Sequence, residues 1–185
     1  MRWEEVRGFA EGLVARTGDA SGPLVKALNP GRRQNTCEAE SMARLVNIFG
    51  RDSVFVEIQR HRIRGEERLN KAIIEVARRF HLPLLATNGV LYSSDVERPI
   101  LDVFTCIRNH THLDAAGTLL EQNNERYLKN ADQMRELFRD LPEAIENTVH
   151  LAEQLDFTLE NLGYEFPAFS VPDGYTMDSL LREKA

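Results

Sequence analysis

His110 and His112 stand two residues apart, a spacing that on a strand would turn both imidazoles to one side, as a metal site requires. They follow a helical pattern and precede Asp114-Ala115-Ala116-Gly117, so they read as a solvated loop pair with no third ligand nearby. Glu57 and His61 flank the end of a strand-like run, and the carboxyl ends of parallel strands are where α/β proteins bind ligands. The plainer reading, which is preferred, pairs Glu57 with a neighbouring arginine. Arg60, Arg62 and Arg64 carry planar forks that match phosphate geometry, but no aromatic residue is interleaved for base stacking, and a solvated loop is favoured. Gly18-Asp19-Ala20-Ser21-Gly22 is glycine-rich yet lacks the lysine of a phosphate-binding loop. Thr87-Asn88-Gly89-Val90-Leu91-Tyr92 offers hydroxyls and an amide, poor ligands for a catalytic metal.

These residues need a scaffold, and the apolar pattern supplies one. Val54-Phe55-Val56-Glu57-Ile58 is β-branched and aromatic, of strand length. Leu69, Ile73, Val76, Ala77 and Phe80 recur at helical spacing before Pro83, and Leu84-Leu85-Ala86-Thr87 forms a second short strand. Strand, amphipathic helix and strand in this order predict a parallel βαβ unit. Upstream, the pattern predicts a short helix, a strand at Leu13-Val14-Ala15, a glycine-rich turn and a helix entered through Pro23. An exposed loop over Asn29 to Asn35 should follow, then a helix with Met42, Leu45, Val46 and Phe49 on one face, stopped by Gly50.

Downstream the pattern becomes helical. Val96, Ile100, Leu101, Val103, Phe104 and Ile107 stripe one helix; Met134, Leu137 and Phe138 a shorter one; Ile145, Val149, Ala152 and Leu155 a third, with Asp140 placed to cap it and Glu143 as a capping-box partner. Phe166-Pro167, Val171-Pro172 and Asp173-Gly174 suggest an extended connector, and a last helix from Met177 to Lys184 reads as the start of a further domain.

Across 185 residues, 23 Lys and Arg face 29 Asp and Glu, a net charge of −6 that argues against a wholly basic nucleic-acid clamp. No apolar run reaches the roughly 18 residues that cross a bilayer, and Met1-Arg2-Trp3-Glu4-Glu5 is too acidic for a signal peptide. The expectation is a soluble, cytoplasmic protein that binds no membrane. Cys37 and Cys106 lie far apart in no metal-ligand spacing and read as reduced thiols.

Residue order adds a resemblance. Val56-Glu57-Ile58-Gln59-Arg60-His61 and Leu82-Pro83-Leu84-Leu85-Ala86-Thr87-Asn88-Gly89-Val90-Leu91-Tyr92 resemble the later part of the polymerase-and-histidinol-phosphatase (PHP) domain of bacterial DNA polymerase III alpha proteins. Leu101-Asp102-Val103-Phe104-Thr105-Cys106-Ile107-Arg108, Glu125-Arg126-Tyr127-Leu128-Lys129, Leu141-Pro142-Glu143-Ala144-Ile145-Glu146-Asn147-Thr148 and Val171-Pro172-Asp173-Gly174 follow in the family's order. Asp102 to Arg108, with Phe157-Thr158-Leu159-Glu160-Asn161-Leu162-Gly163-Tyr164, is similar to the error-prone branch.

The resemblance implies an α/β chain: part of a distorted PHP-type β/α barrel over 1–108, a helical extension over 109–165, and a connector into a polymerase palm over 166–185. It implies that the chain begins partway through the domain, downstream of the family's His-x-His strand. Intact relatives hold divalent metal at the barrel mouth, where Asp19 stands in place of a cysteine and Gly89-Val90-Leu91 in place of Asp-x-His. Glycine and leucine offer no donor, so no cofactor or metal and no catalytic residue is expected in this chain. The expected partners are the amino-terminal PHP segment and the palm of the same polymerase, with DNA reached through that parent in replication or translesion synthesis. The alternatives are a stand-alone metal-dependent phosphoesterase or 3′-5′ exonuclease, and a split-chain interaction module.

Overall fold

The computed structural model describes residues 3–19, 21–28, 38–158, 163 and 170–184. Cys37 and the expected loop over Asn29 to Asn35 lie outside them, as do Phe166-Pro167 and most of Leu159 to Tyr164.

A short helix α1 (Trp3–Val6) precedes strand β1 (Ala15–Arg16), α2 (Pro23–Leu28) and α3 (Glu38–Phe49). Then come β2 (Val54–Gln59), α4 (Glu66–Phe80) and β3 (Leu84–Thr87). The strands form a parallel sheet of order β1-β2-β3, with Ala15 opposite Val54, Val56 opposite Leu84 and Gln59 opposite Thr87. The predicted βαβ unit is therefore present, and β2 is buried on both faces because it is the central strand, covered on each side. Val54, Val56 and Ile58 are wholly buried and contribute roughly 1.5–3 kcal/mol each.

Helices α5 (Arg98–Arg108), α6 (Leu113–Ala116), α7 (Ala131–Leu137) and α8 (Pro142–Gln154) follow, and α9 (Met177–Lys184) comes last. The chain divides into two compact units, Met1–Ala152 and Glu153–Ala185. Phe138, Leu141 and Ala144 join Ile58, Ile73 and Ala86 in the first unit's core, so the α7–α8 corner closes one side of the sheet. Met42 and Leu45 fill it from α3, as their spacing predicts.

The structure corrects two faces read from periodicity. On α8, Val149 is exposed and Ala144 is buried, since the helix packs by its first turns only. On α5 and the turn that enters it, Val96, Ile100, Val103, Phe104 and Ile107 face outward, and Cys106 is the buried residue. Among the described residues, no helix is long and apolar enough to cross a membrane.

Candidate functional site

Parallel pairing brings the carboxyl ends of all three strands to one edge of the sheet, where Arg16 and Thr17, Glu57 to Gln59, and Thr87 to Gly89 converge. A cavity of about 370 Å³ opens there, lined among others by Asp19, Glu57, Gln59, His61, Arg64 and Arg126.

Glu57 is the buried acid of this edge. Its Oε1 accepts from the Thr87 hydroxyl at 2.5 Å and from Gln59 Nε2 at 2.7 Å, and its N–H donates to Thr17 Oγ1 at 2.9 Å. An arginine does pair with it, but the partner is Arg16, 3.6 Å away at the end of β1, rather than Arg60, Arg62 or Arg64. The adjacent strand reaches Glu57 across the ladder, whereas the nearby arginines lie beyond the strand end and turn away.

His61 is also buried, and both of its ring nitrogens are engaged. Nδ1 lies 3.1 Å from Glu66 Oε1 and Nε2 lies 2.9 Å from the Asn88 carbonyl. Glu66 sits in the first turn of α4, where a negative charge is favoured by the helix dipole. Burial alone would push its carboxyl up, but hydrogen bonds from the His61 ring and main chain and from the Ile63 N–H hold it below the usual glutamate range. Asn88 in turn donates to the carbonyls of Glu125 and Tyr127, at 3.1 and 2.6 Å, tying the strand end to residues 125–127.

That tie positions a residue whose role the sequence did not disclose. Leu91 N–H donates to the Arg126 carbonyl at 2.9 Å and Leu128 N–H to the Tyr92 carbonyl at 3.1 Å, around a parallel bridge between Tyr92 and Tyr127. The guanidinium of Arg126 is thereby laid over Gly89: its Nη1 donates to the Gly89 carbonyl at 3.3 Å and its Nε to Glu121 at 3.1 Å. A Cβ at position 89 would lie 2.6 Å from Arg126 Nη1 and 2.8 Å from Gln59 Oε1, and φ there is +51°. Gly89→Ala is expected to cost about 1–3 kcal/mol, from left-handed strain and displacement of the Arg126 and Gln59 tips. Urea denaturation measures it, and a cost under about 0.5 kcal/mol would show that Arg126 does not depend on this glycine.

Of the three arginines grouped in sequence, the structure separates each fate. Arg60 is buried rather than solvated, with Nη1 2.5 Å and Nη2 2.8 Å from the two carboxylate oxygens of Asp140. Asp140, expected as a helix cap, thus gives both oxygens to Arg60. Arg62 is exposed and lies 3.4 Å from Glu125, which also holds Lys129 at 3.1 Å. Arg64 is exposed at the rim of the cavity and forms no ion pair among the described residues. A second cavity, of about 720 Å³, contains Arg60, Arg62 and Lys129, but Glu66, Glu67, Asp132, Glu136 and Asp140 line it as well. It is charge-balanced, not a cationic cradle. His110 and His112 are exposed around the α5–α6 turn.

The metal that the resemblance implies for intact relatives does not fit these donors. Asp19 Oδ1 accepts from the Ser21 N–H at 2.8 Å, both His61 nitrogens are spent, and Gly89 and Leu91 have nothing to offer. A fixed guanidinium at Gly89 adds positive charge where a cation would need its opposite. Among the described residues, no three His, Cys, Asp or Glu side chains are grouped to hold a metal ion. The two glycines of the turn serve packing: a Cβ on Gly22 would lie 2.3 Å from the Thr17 carbonyl oxygen.

Fold and site together define a mixed α/β protein with a small parallel sheet, whose strand ends carry a cross-linked polar edge. No protein-family model matches the chain. It is 43% identical over 121 residues, 65% of its length, to an error-prone DNA polymerase of Bradyrhizobium diazoefficiens. It is 36% identical over 169 residues, 91% of its length, to an error-prone DNA polymerase of Rhodopseudomonas palustris. With a DNA polymerase III subunit alpha of Pseudomonas fluorescens it shares 35% identity over 175 residues, 94% of its length. The chain is homologous to one segment of the error-prone DNA polymerases and DNA polymerase III alpha subunits. It spans 10% to 14% of the length of these relatives.

Proposed function

We propose that this chain is the later part of a PHP-type barrel from an error-prone, DNA polymerase III alpha-like protein, and that it acts there as structure rather than as a phosphoesterase. The observation that carries this reading is the Arg126 guanidinium lying over Gly89, in a mouth whose acid and imidazole are already hydrogen-bonded within the protein. A phosphoesterase needs charge-neutralising cations and a free donor set to polarise the ester and activate water. Here Arg126 pairs with Glu121, while Gln59 and Thr87 satisfy Glu57. On this reading residues 1–108 are barrel and 109–165 its helical extension, 166–185 lead to the palm, and the partners are the rest of a cytoplasmic polymerase and, through it, DNA.

The test is metal content and nuclease assay on the purified chain. Dialysed against Zn²⁺, Mn²⁺ or Mg²⁺ and then against buffer, it is expected to retain far less than one equivalent, and to release no nucleotide from a single-stranded oligonucleotide. Metal-dependent release that disappears in Asp19→Ala or Glu57→Ala would overturn the structural reading and favour the exonuclease alternative. The split-chain alternative draws support from the sheet itself, because β1 and β3 each have one side with no strand partner among the described residues.

A further inference from the structure

Helix α5 is built inside out. Its outward face carries Val96, from the turn that enters it, and Ile100, Val103, Phe104 and Ile107, which are 46–78% exposed. Its inward face carries the Arg98–Asp102 pair, 3.5 Å apart, with Arg98 Nη2 donating to the Glu121 carbonyl at 2.5 Å. Tyr92 OH, Arg98 Nε and Asp102 Oδ1 are buried on that side without hydrogen-bond partners among the described residues. Hiding charge while showing hydrocarbon is costly on both faces. The arrangement is reasonable only when the apolar face is also covered.

The face is suited to a copy of itself. The apolar residues recur at steps of three and four, forming a straight stripe about 16 Å long. Glu97 and Arg108 lie eleven residues apart, about three turns, and so share one flank at opposite ends of that stripe. The Ser93 hydroxyl and the Ser94 N–H hold the Glu97 carboxyl below its usual range, and Arg108 has no ion-pair partner among the described residues. A two-fold axis through the middle of α5 would set each Arg108 beside the other copy's Glu97 while the stripes interdigitate.

We propose that α5 is a self-association surface on which a second copy of this chain docks antiparallel, stripe against stripe. Five side chains per copy bury less than the roughly 800 Å² per partner of stable complexes, so the dimer is weak, with a dissociation constant on the order of 10 µM. Sedimentation of the full chain between about 1 and 300 µM should show a monomer–dimer equilibrium. Phe104→Asp and Val96→Asp should each raise the dissociation constant at least about tenfold, and Arg108→Glu about three- to tenfold. Phe157→Asp, an exposed aromatic position that is not part of α5 or its stripe, should change it less than about twofold. All four positions face solvent in the monomer, so far-UV circular dichroism should be unchanged; if one variant misfolds, the others carry the test. A chain that stays monomeric throughout, association that survives both stripe variants, or an equal loss in Phe157→Asp would overturn the proposal.

Discussion

Phe138→Ala is expected to cost about 3–5 kcal/mol, at the upper end of losses from truncating one core side chain. Phe138 is 0% exposed and sits where the end of α7 turns toward α8, in one cluster with Ile58, Ile73, Ala86, Leu141 and Ala144. Its removal leaves a ring-sized void, because the neighbours belong to the sheet and to two helices and can close in only partly. It also removes the floor beneath Arg60, whose guanidinium carbon lies 5.0 Å from the ring centroid. Chemical denaturation against Phe104→Ala is the measurement. Phe104 is an aromatic residue of the same size on the outward face of α5, and its truncation should change stability by no more than about 0.5 kcal/mol. Equal losses at the two positions would mean that the α7–α8 corner is not part of the core.

The contrast between these two phenylalanines marks the limit of what the sequence disclosed. Val54 to Ile58 and Leu84 to Thr87 were legible because short β-branched and aliphatic runs around an amphipathic helix have few other solutions. The spacing of Phe104 puts it on the correct helix but suggests the wrong side inward, since periodicity identifies a face without saying which way it turns. Inward polarity on α5 depends on Glu121, which comes close only in the folded chain.

The site shows the same division. Glu57 was recognisable as a strand-end acid that an arginine would answer, but Arg16 is forty-one residues upstream and meets it across the β1–β2 ladder. Gly89 was legible as a position with no donor. Arg126 stands within a block that resembles the family, and nothing in Glu125-Arg126-Tyr127 signals that its guanidinium covers that glycine. A bridge between Tyr92 and Tyr127 puts it there, and such pairing across a helix-rich insertion leaves no local pattern. The arginine cluster misled in another way. Neighbours in sequence need not share surroundings, and Arg60 turns into the core while Arg62 and Arg64 do not.

Arg60→Ala is the second large effect, expected at about 2–4 kcal/mol. The side chain holds Asp140 through two hydrogen bonds and the Leu137 carbonyl at 2.8 Å, with Glu67 3.7 Å from its Nε. Alanine forfeits these bonds and the packing of the guanidinium on Phe138, so Arg60→Ala and Phe138→Ala should be less than additive by about 0.5–2 kcal/mol. The Asp140 side chain is 60% exposed, so its own share is screened by water, and Asp140→Asn is expected to cost only about 1 kcal/mol. Its pH signature is nonetheless definite. Hydrogen bonds from Arg60 hold the Asp140 carboxyl below the usual aspartate range against the opposing effect of burial. A carboxyl depressed by folding stabilises the protein above its unfolded pKa, and that contribution is lost as the pH falls through the folded value. Denaturation midpoints should therefore drop on acidification from the ordinary carboxylate range downward, and the drop should be shallower in Asp140→Asn. Unchanged acid dependence in that variant would mean that Arg60 is held by the Leu137 carbonyl and its packing on Phe138, with Asp140 a bystander.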